Sequence, residues 1–357
     1  MTTDAQRRSG SLPSSGPRLV GLDVARAVAI VGMVWVNFRV TIHGVGSAPA
    51  WAEALDGRAA ALFVTLAGLG VSLMARGKPA AEVRKRLWAR SALLWAFGMA
   101  WSPIWVGDIL HYYGVWLAMA AVLITASSRI LLGLAAVLPV VAVGLLLTLD
   151  YEAGWNLGAL EYRDFWTFSG QLRHLFFNGL HPVVPWFSFL LIGMLLGRLE
   201  LSKAHVQKRL AIGGFGLWAA TEGVSDGLVW ATNDVLGKES APYLFGTMSM
   251  PPTLFYMVAG ASLAVAVIGV CLWGTDRVGV NRAVQVLSHL GQLSLSVYIV
   301  HVGVALTGQA LFPGAPILAG VLPAMVGFVL LALLSCHQWR LRNRRGPFEQ
   351  LLRRVAG

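Results

Sequence analysis

Long apolar runs recur along the chain from residue 19 to residue 337, with short polar segments between them. An α-helix of about 20 apolar residues crosses the roughly 30 Å hydrocarbon core of a bilayer and keeps its backbone hydrogen bonds internal. The runs predict helices near residues 19–39, 58–75, 87–106, 109–127, 129–149, 182–199, 209–230, 252–274, 286–308 and 315–337. Only 13% of the residues are charged, about half the share typical of soluble domains. We therefore expect an all-α fold, a polytopic transmembrane helical bundle of about ten spans.

The basic residues predict the direction of the helices, because short loops rich in Lys and Arg stay on the cytoplasmic side of a membrane. When the N-terminus is placed in the cytoplasm, 22 of the 28 Lys and Arg residues fall on inner segments. Both termini are therefore predicted to be cytoplasmic in a multi-pass protein of the cell membrane. This distribution also accounts for the net charge of +11, so the lipid bilayer is an expected partner and nucleic acid is not.

Composition divides the chain into three parts. Residues 1–17 are rich in Ser, Pro and Gly and are predicted to form a disordered cytoplasmic tail. Residues 18–339 form the predicted transmembrane domain, and residues 340–357 form a basic cytoplasmic C-terminal segment. Cys271 and Cys336 fall inside apolar runs, so we expect free thiols, and the sequence shows no spacing typical of a metal site.

Ionisable residues inside the predicted spans are candidate functional groups, because a charge within a bilayer is costly. Asp23 and Arg26 lie three residues apart and can pair along one helix face, either as a structural pair or as part of a site. Glu222 and Asp226 lie four residues apart, so like charges share a face and need a cation, water or a raised pKa. They indicate either a polar cavity or a helix end that lies elsewhere.

Histidine is the side chain whose proton moves most readily near neutral pH. Four histidines are predicted at or near the outer face: His43, His111, His174 and His181. Asp108 precedes His111 by three residues, a spacing that suits a carboxylate orienting a general base. For each of these histidines, a simple hydrogen bond at the membrane interface is the alternative. His301, in the middle of a predicted helix, is expected to hydrogen-bond between helices.

The densest basic cluster on the predicted inner side consists of Arg84, Lys85, Arg86 and Arg90. Such a cluster can hold the phosphates of a nucleotide-like donor. The preference for positive charge on the cytoplasmic side predicts the same cluster without any ligand. Both interpretations stay open at this point.

Five groups of residues carry a family resemblance in the same order along the chain. They are Leu22–Ile30 with Val36–Phe38, Gly57–Phe63 with Leu66–Gly68, Asp108–Gly114, Ser294–His301, and Arg345–Glu349. Together these segments resemble bacterial heparan-α-glucosaminide N-acetyltransferase-like membrane proteins, a largely uncharacterised branch of the transmembrane acyltransferases. The resemblance places the protein in a bacterial inner or plasma membrane.

The resemblance implies an enzyme that moves an acetyl group from cytoplasmic acetyl-CoA to a hydroxyl or amine of an extracytoplasmic acceptor, a glycan or small molecule. It assigns His43 the role of the catalytic histidine in the first outer loop, as general base or transient acyl carrier. The remaining candidates are Asp108 and His111 for catalysis, Arg26, Arg84, Arg86 and Arg90 for the donor, and His181, Glu222 and Asp226 for the acceptor side. No metal is expected.

Two other functions remain open on the sequence. A small-molecule transporter would also place polar residues and glycines in its spans, although the two related halves usual in transporters are not visible here. An inactive membrane scaffold is kept open by Asn37, which lies where membrane acyltransferases that O-acetylate sugars carry a histidine.

Overall fold

A computed structural model describes residues 18–44 and 48–357, so the predicted tail of residues 1–17 lies outside the described residues. The α-helices are α1 Val20–Phe38, α2 Ala50–Glu53, α3 Arg58–Ala75, α4 Ala80–Trp101, α5 Leu110–Leu123, α6 Ser128–Thr148, α7 Phe168–Arg173, α8 Val183–Leu196, α9 Ala204–Leu236, α10 Ser240–Phe245, α11 Leu254–Val278, α12 Arg282–Gln292, α13 Ser294–Leu311, α14 Leu322–Arg342 and α15 Pro347–Ala356. Three π-helical turns occupy Arg39–His43, His174–Asn178 and Ile317–Val321. Two short strands, β1 Trp155–Asn156 and β2 Glu161–Tyr162, pair antiparallel.

Every predicted apolar segment contains a helix. Six helical segments of the described chain are long and apolar enough to cross a membrane. A seventh is added if Phe168–Asn178 and Val183–Leu196, which meet at a 48° bend, form one span. The all-α, multi-pass prediction is confirmed at this level, while the count of ten spans and the cytoplasmic termini stay predictions.

Predicted and observed boundaries differ most at three helices. The helix predicted at 87–106 begins seven residues earlier, at Ala80, because the polar segment after Pro79 is helical as well. The helix predicted at 209–230 is α9, which is 33 residues long. The segment predicted as one helix at 286–308 is broken at Leu293, whose backbone leaves the helical region between α12 and α13. Hydropathy did not show this break, because the apolar residues of the amphipathic α12 run on into the apolar α13.

α1 lies at the centre of the bundle and packs against α3, α11, α12 and α13. α8 packs against both α3 and α6, and α4 packs along α5. α6 and α14 bury only 22% and 11% of their most apolar stretches. Apolar helices with so little protein cover are what a lipid-facing position predicts.

Two glycines allow α3 and α8 to pack backbone against backbone. A Cβ atom on Gly68 would lie 1.9 Å from the carbonyl oxygen of Leu190, and one on Gly193 would lie 1.9 Å from that of Thr65. No larger residue fits at either position without moving the helices apart. Small residues at such positions let helix backbones approach closely.

The long loop between α6 and α8 is folded around Asn178. Its side-chain amide donates to the carbonyl oxygens of Tyr151 and Ala153, both at 2.8 Å. Its side-chain oxygen accepts from the Tyr162 hydroxyl at 2.9 Å. Burial raises the pKa of the Tyr162 phenol, so this group is a hydrogen-bond donor at neutral pH. These bonds hold the parts of the loop to one another, and the contact of His174 with the Tyr112 hydroxyl joins the loop to α5.

Candidate functional site

A cavity of about 710 Å³ opens at the end of α1, and we call it the Asn37 cavity. α1 passes at Arg39 into a π-helical turn, a local widening of the helix that is frequent at functional sites. The polar and aromatic lining residues include Asn37, Arg39, Glu53, Asp56, Arg58, Trp105, His181, Trp186, Thr247 and Ser249. Buried nitrogen or oxygen atoms of Arg39, Asp56, Trp105, His181 and Trp186 have no hydrogen-bond partner among the described residues. Unpaired buried polar groups around one cavity suit a polar ligand.

Asn37 is joined to His301 across the bundle. The Asn37 Nδ2 atom lies 2.8 Å from His301 Nε2, linking α1 to α13. Because the amide nitrogen donates, Nε2 of His301 carries the lone pair in this arrangement. His301 is completely buried, and its Nδ1 has no partner in the described part of the chain. The imidazole is thus held behind Asn37, whose amide occupies the Nε2 lone pair, and Asn37 is the member of the pair that lines the cavity.

Two ion pairs stabilise the rim of the Asn37 cavity. Arg39, only 3% exposed, pairs with Asp56. Arg58 donates to Glu222 at 2.7 Å, and both side chains are mostly buried. Glu222 therefore has a cation, one of the three possibilities that the sequence left open, supplied by a residue 164 positions away in the chain. Asp226 shares the helix but is exposed, so the structure does not bring it to the cavity with Glu222.

The predicted pair of Asp108 and His111 is present. The Nδ1–H of His111 donates to Asp108 Oδ2 at 2.8 Å, and the backbone N–H of His111 donates to the same oxygen at 3.0 Å. Both side chains are buried, and His111 Nε2 has no partner within residues 18–44 and 48–357. A carboxylate that fixes Nδ1 and leaves Nε2 basic is the arrangement of an oriented general base.

An aromatic cluster surrounds His111 and links it to the loop before α8. The rings of His111 and His174 stack with centroids 5.7 Å apart. The Tyr112 hydroxyl lies 3.1 Å from Nδ1 of His174, and the Tyr112 ring contacts that of His181 edge-on at 5.8 Å. His181 lines the Asn37 cavity. The predicted acceptor-side histidine and the Asp108–His111 pair therefore belong to one buried cluster.

His43 is placed differently from the other candidates. It ends the π-helical turn and donates Nδ1–H to the carbonyl oxygen of Ala315 at 3.0 Å, which leaves Nε2 as the basic nitrogen. The described residues lining the Asn37 cavity do not include it. Its neighbours Thr41 and Gly44 line a second groove of about 700 Å³, which shares Trp105 with the Asn37 cavity. Asp108 and His111 are likewise not among the described lining residues of the Asn37 cavity.

Another cavity, of about 360 Å³, lies beside the N-terminal part of α1, and we call it the Arg26 cavity. Arg26 and Arg90 provide guanidinium groups, Ser294 and Tyr113 provide hydroxyls, and the other lining residues are apolar or glycine. Arg26 also pairs with Asp23 at 2.7 Å, as the sequence predicted. Arg90 Nε is buried without a partner among the described residues.

The rest of the predicted basic cluster points elsewhere. Arg84 donates to the carbonyl oxygen of Ala121 at 3.2 Å, and Arg86 pairs with Glu82 at 2.9 Å. Lys85 is exposed. Of the four basic residues in the cluster, Arg90 alone is found among the described residues lining the Arg26 cavity.

The two cavities are separated by a thin wall. Ile109 lines the Asn37 cavity, while the next residue, Leu110, lines the Arg26 cavity. The backbone N–H of Ile109 donates to the Tyr298 hydroxyl at 3.3 Å, which fixes this point against α13. We call Ile109, Leu110 and Tyr298 the dividing wall. All three residues are at most 5% exposed.

Sequence reasoning noted Asn37 and His301 separately but did not join them. They are 264 residues apart, and no local spacing connects them. The available signal was that each is a polar residue within an apolar run. The dividing wall carried no signal, because buried apolar residues and tyrosines are common in membrane helices.

These features define a multi-pass membrane protein with two adjoining polar cavities, one beside buried imidazoles and one beside two arginines. A profile described as "Heparan-alpha-glucosaminide N-acetyltransferase, catalytic" matches residues 18–221, more than half of the chain. The chain belongs to this family, which indicates an acetyltransferase-like function in the membrane. A second profile, "Protein of unknown function (DUF418)", matches residues 196–357. No curated protein matches the chain.

Proposed function

We propose that the protein transfers an acetyl group from acetyl-CoA, bound from the cytoplasm in the Arg26 cavity, to an acceptor in the Asn37 cavity. The acceptor is a hydroxyl or amine compound on the extracytoplasmic side. The family name refers to the amine of a glucosaminide. The observation that carries the proposal is the dividing wall. Ile109 and Leu110 are consecutive residues that line one cavity each, so a thioester and an acceptor would need to cross only this wall to meet.

The distance between the cavities suits a CoA donor. Arg26 and Asn37 lie on the same helix, eleven residues apart, which is about 17 Å at a rise of 1.5 Å per residue. An extended pantetheine arm reaches over a distance of this order. Phosphates held by Arg26 and Arg90 would leave the thioester near the dividing wall, because guanidinium groups bind phosphate strongly.

Asn37 lines the acceptor cavity and His301 lies directly behind it, so we propose that the Asn37 amide moves aside for the acceptor and frees the Nε2 lone pair of His301. In the proposed reaction, the oxygen or nitrogen of the acceptor adds through its lone pair to the thioester carbonyl carbon. An imidazole takes the proton that the acceptor loses. The carbon–sulfur bond then breaks, and the CoA sulfur receives the proton. A positioned general base of this kind accelerates a reaction by about 10²-fold to 10⁴-fold.

Asp108 and His111 remain proposed catalytic residues, because Asp108 leaves Nε2 of His111 basic. His43 also remains a candidate, with a basic Nε2 and a place beside the neighbouring groove. His181, Glu222 and Arg58 are proposed to shape the acceptor side. Catalysis by the loop histidine His43 and catalysis by His301 with Asn37 therefore predict different effects of substitution, which can be measured separately.

The test uses inside-out membrane vesicles loaded with glucosamine as the probe amine and galactose as the probe hydroxyl compound. Carbonyl-labelled acetyl-CoA is added outside, and label retained in acetylated sugar inside is measured. The variants are His301→Ala, His43→Ala and Asn37→Ala, with His205→Ala as a matched control because His205 is exposed at the start of α9. We expect the His301 and Asn37 variants to lose at least about 90% of the wild-type rate, consistent with loss of a positioned base.

Each outcome separates the alternatives. Loss of activity in His43→Ala alone would assign catalysis to the loop histidine and remove His301 from the mechanism. Passage of either sugar across the vesicle membrane without acetyl-CoA would favour a transporter. Absence of both transfer and acetyl-CoA binding by the wild-type protein would leave no support for an acyltransferase.

A further inference from the structure

Tyr113 is a buried tyrosine whose hydroxyl has no hydrogen-bond partner in the described residues. Its side chain is only 5% exposed, and its ring packs edge-on against Phe63 and Trp116. A buried hydroxyl without a partner is costly, and phenylalanine would fill the same space without that cost. The hydroxyl therefore calls for a ligand atom as its partner.

The position of Tyr113 indicates which ligand atom this is. Tyr113 lines the Arg26 cavity one helical turn along α5 from Leu110, which is about 4.5 Å at 1.5 Å per residue. Leu110 belongs to the dividing wall, and the neighbouring walls of the cavity are apolar. A donor whose phosphates lie at Arg26 and Arg90 would present its other end, the thioester, to this hydroxyl.

We infer that the Tyr113 hydroxyl donates a hydrogen bond to the thioester carbonyl of the bound acyl donor. This inference rests on the proposed function and adds the residue that holds the reacting carbonyl. The carbonyl oxygen becomes negative when the acceptor's lone pair adds to the carbonyl carbon, and it becomes neutral again when the bond to sulfur breaks. A fixed phenol in an apolar surrounding stabilises that charge while keeping its own proton.

The matched variants are Tyr113→Phe and Tyr151→Phe. The Tyr151 hydroxyl is also buried without a partner among the described residues, but it belongs to the loop after α6 and not to the described lining of the Arg26 cavity. Each substitution removes one oxygen atom and no hydrogen bond. Thermal unfolding in detergent checks that both variants fold.

The probe is acetyl-CoA with a ¹³C-labelled carbonyl, bound to purified protein and measured by isotope-edited infrared spectroscopy. In the wild type and in Tyr151→Phe, the thioester carbonyl stretch is expected at lower frequency than in free acetyl-CoA. In Tyr113→Phe, this shift is lost, and the preference for acetyl-CoA over CoA falls by between about twofold and tenfold, the effect of one hydrogen bond. In turnover, kcat falls by about 10²-fold to 10³-fold, with a much smaller change in KM.

The spectrum separates this inference from the proposed function. A carbonyl frequency equal to that of free acetyl-CoA in the wild type, or an equal shift in both variants, overturns the role of Tyr113. If Tyr113→Phe does not fold, the wild-type spectrum is the test, and an unshifted carbonyl frequency there overturns the role of Tyr113. Failure of acetyl-CoA to bind the wild-type protein overturns the proposed function, and the role of Tyr113 with it.

Discussion

The close packing of α3 and α8 leads to a sharp prediction for Gly193→Ala. A Cβ atom at this position would lie 1.9 Å from the Thr65 carbonyl oxygen, whereas ordinary contact begins near 3.4 Å. The helices would therefore have to separate by about 1.5 Å. A backbone carbonyl cannot rotate away, so we take the upper end of the roughly 1–3 kcal/mol that overpacking costs. Alanine gains about 1 kcal/mol over glycine in a helix, which leaves a net loss of about 2 kcal/mol.

Gly133→Ala is the matched control, because no described atom lies within 4 Å of a Cβ built on Gly133 in α6. This substitution is expected to be neutral or to stabilise by up to about 1 kcal/mol. The assay is SDS-induced unfolding in detergent micelles, followed by the reaction of a fluorogenic maleimide with Cys336, which is buried in the folded protein. Unfolding of Gly193→Ala at the same SDS concentration as Gly133→Ala would refute the backbone contact.

Three further substitutions test the contacts around the cavities. Arg58→Met should destabilise the protein by about 1.5–3 kcal/mol, because the partly buried Glu222 loses its charged donor but keeps those of Trp218 and Thr247. The double variant with Glu222→Leu should recover most of this in the same unfolding assay. Asp108→Asn should lower kcat at least about tenfold by losing the carboxylate that orients His111, whereas the control Asp226→Asn should not. Glu349→Ala removes the carboxylate that accepts from the Ser296 backbone and hydroxyl at 2.9 and 2.5 Å, so trypsin should cleave within α15 faster than in the wild type.

The sequence predicted those features that depend on neighbouring residues. Apolar runs located the helices, because a bilayer requires their length and composition. Spacings of three residues predicted the pairs Asp23–Arg26, which share a helical turn, and Asp108–His111, in which Asp108 precedes α5 and accepts from the first turn. Helical spacing also placed Glu222 and Asp226 on the same face of their helix, but it did not show that Asp226 would be exposed.

The features that sequence reasoning missed depend on contacts between distant parts of the chain. Asn37 meets His301, and Arg58 meets Glu222, only because α1, α3, α9 and α13 pack in one arrangement among many. His43 was expected in the site because of its loop and stays a candidate, but its bond to the carbonyl oxygen of Ala315, 272 residues away, could not be predicted from the sequence. A hydropathy pattern contains neither the crossing of helices nor a change in helical pitch.

The dividing wall has a consequence for the electrical insulation of the membrane. With the two cavities open to opposite faces, as proposed, most of the membrane potential would fall across Ile109, Leu110 and Tyr298, because water-filled cavities carry little of it. In the proposed reaction, a proton leaves the acceptor on one side of this wall and reaches the CoA sulfur on the other. Moving one elementary charge through a potential of 100 mV is worth about 2.3 kcal/mol. The rate of acetyl transfer would then vary with the energised state of the cell.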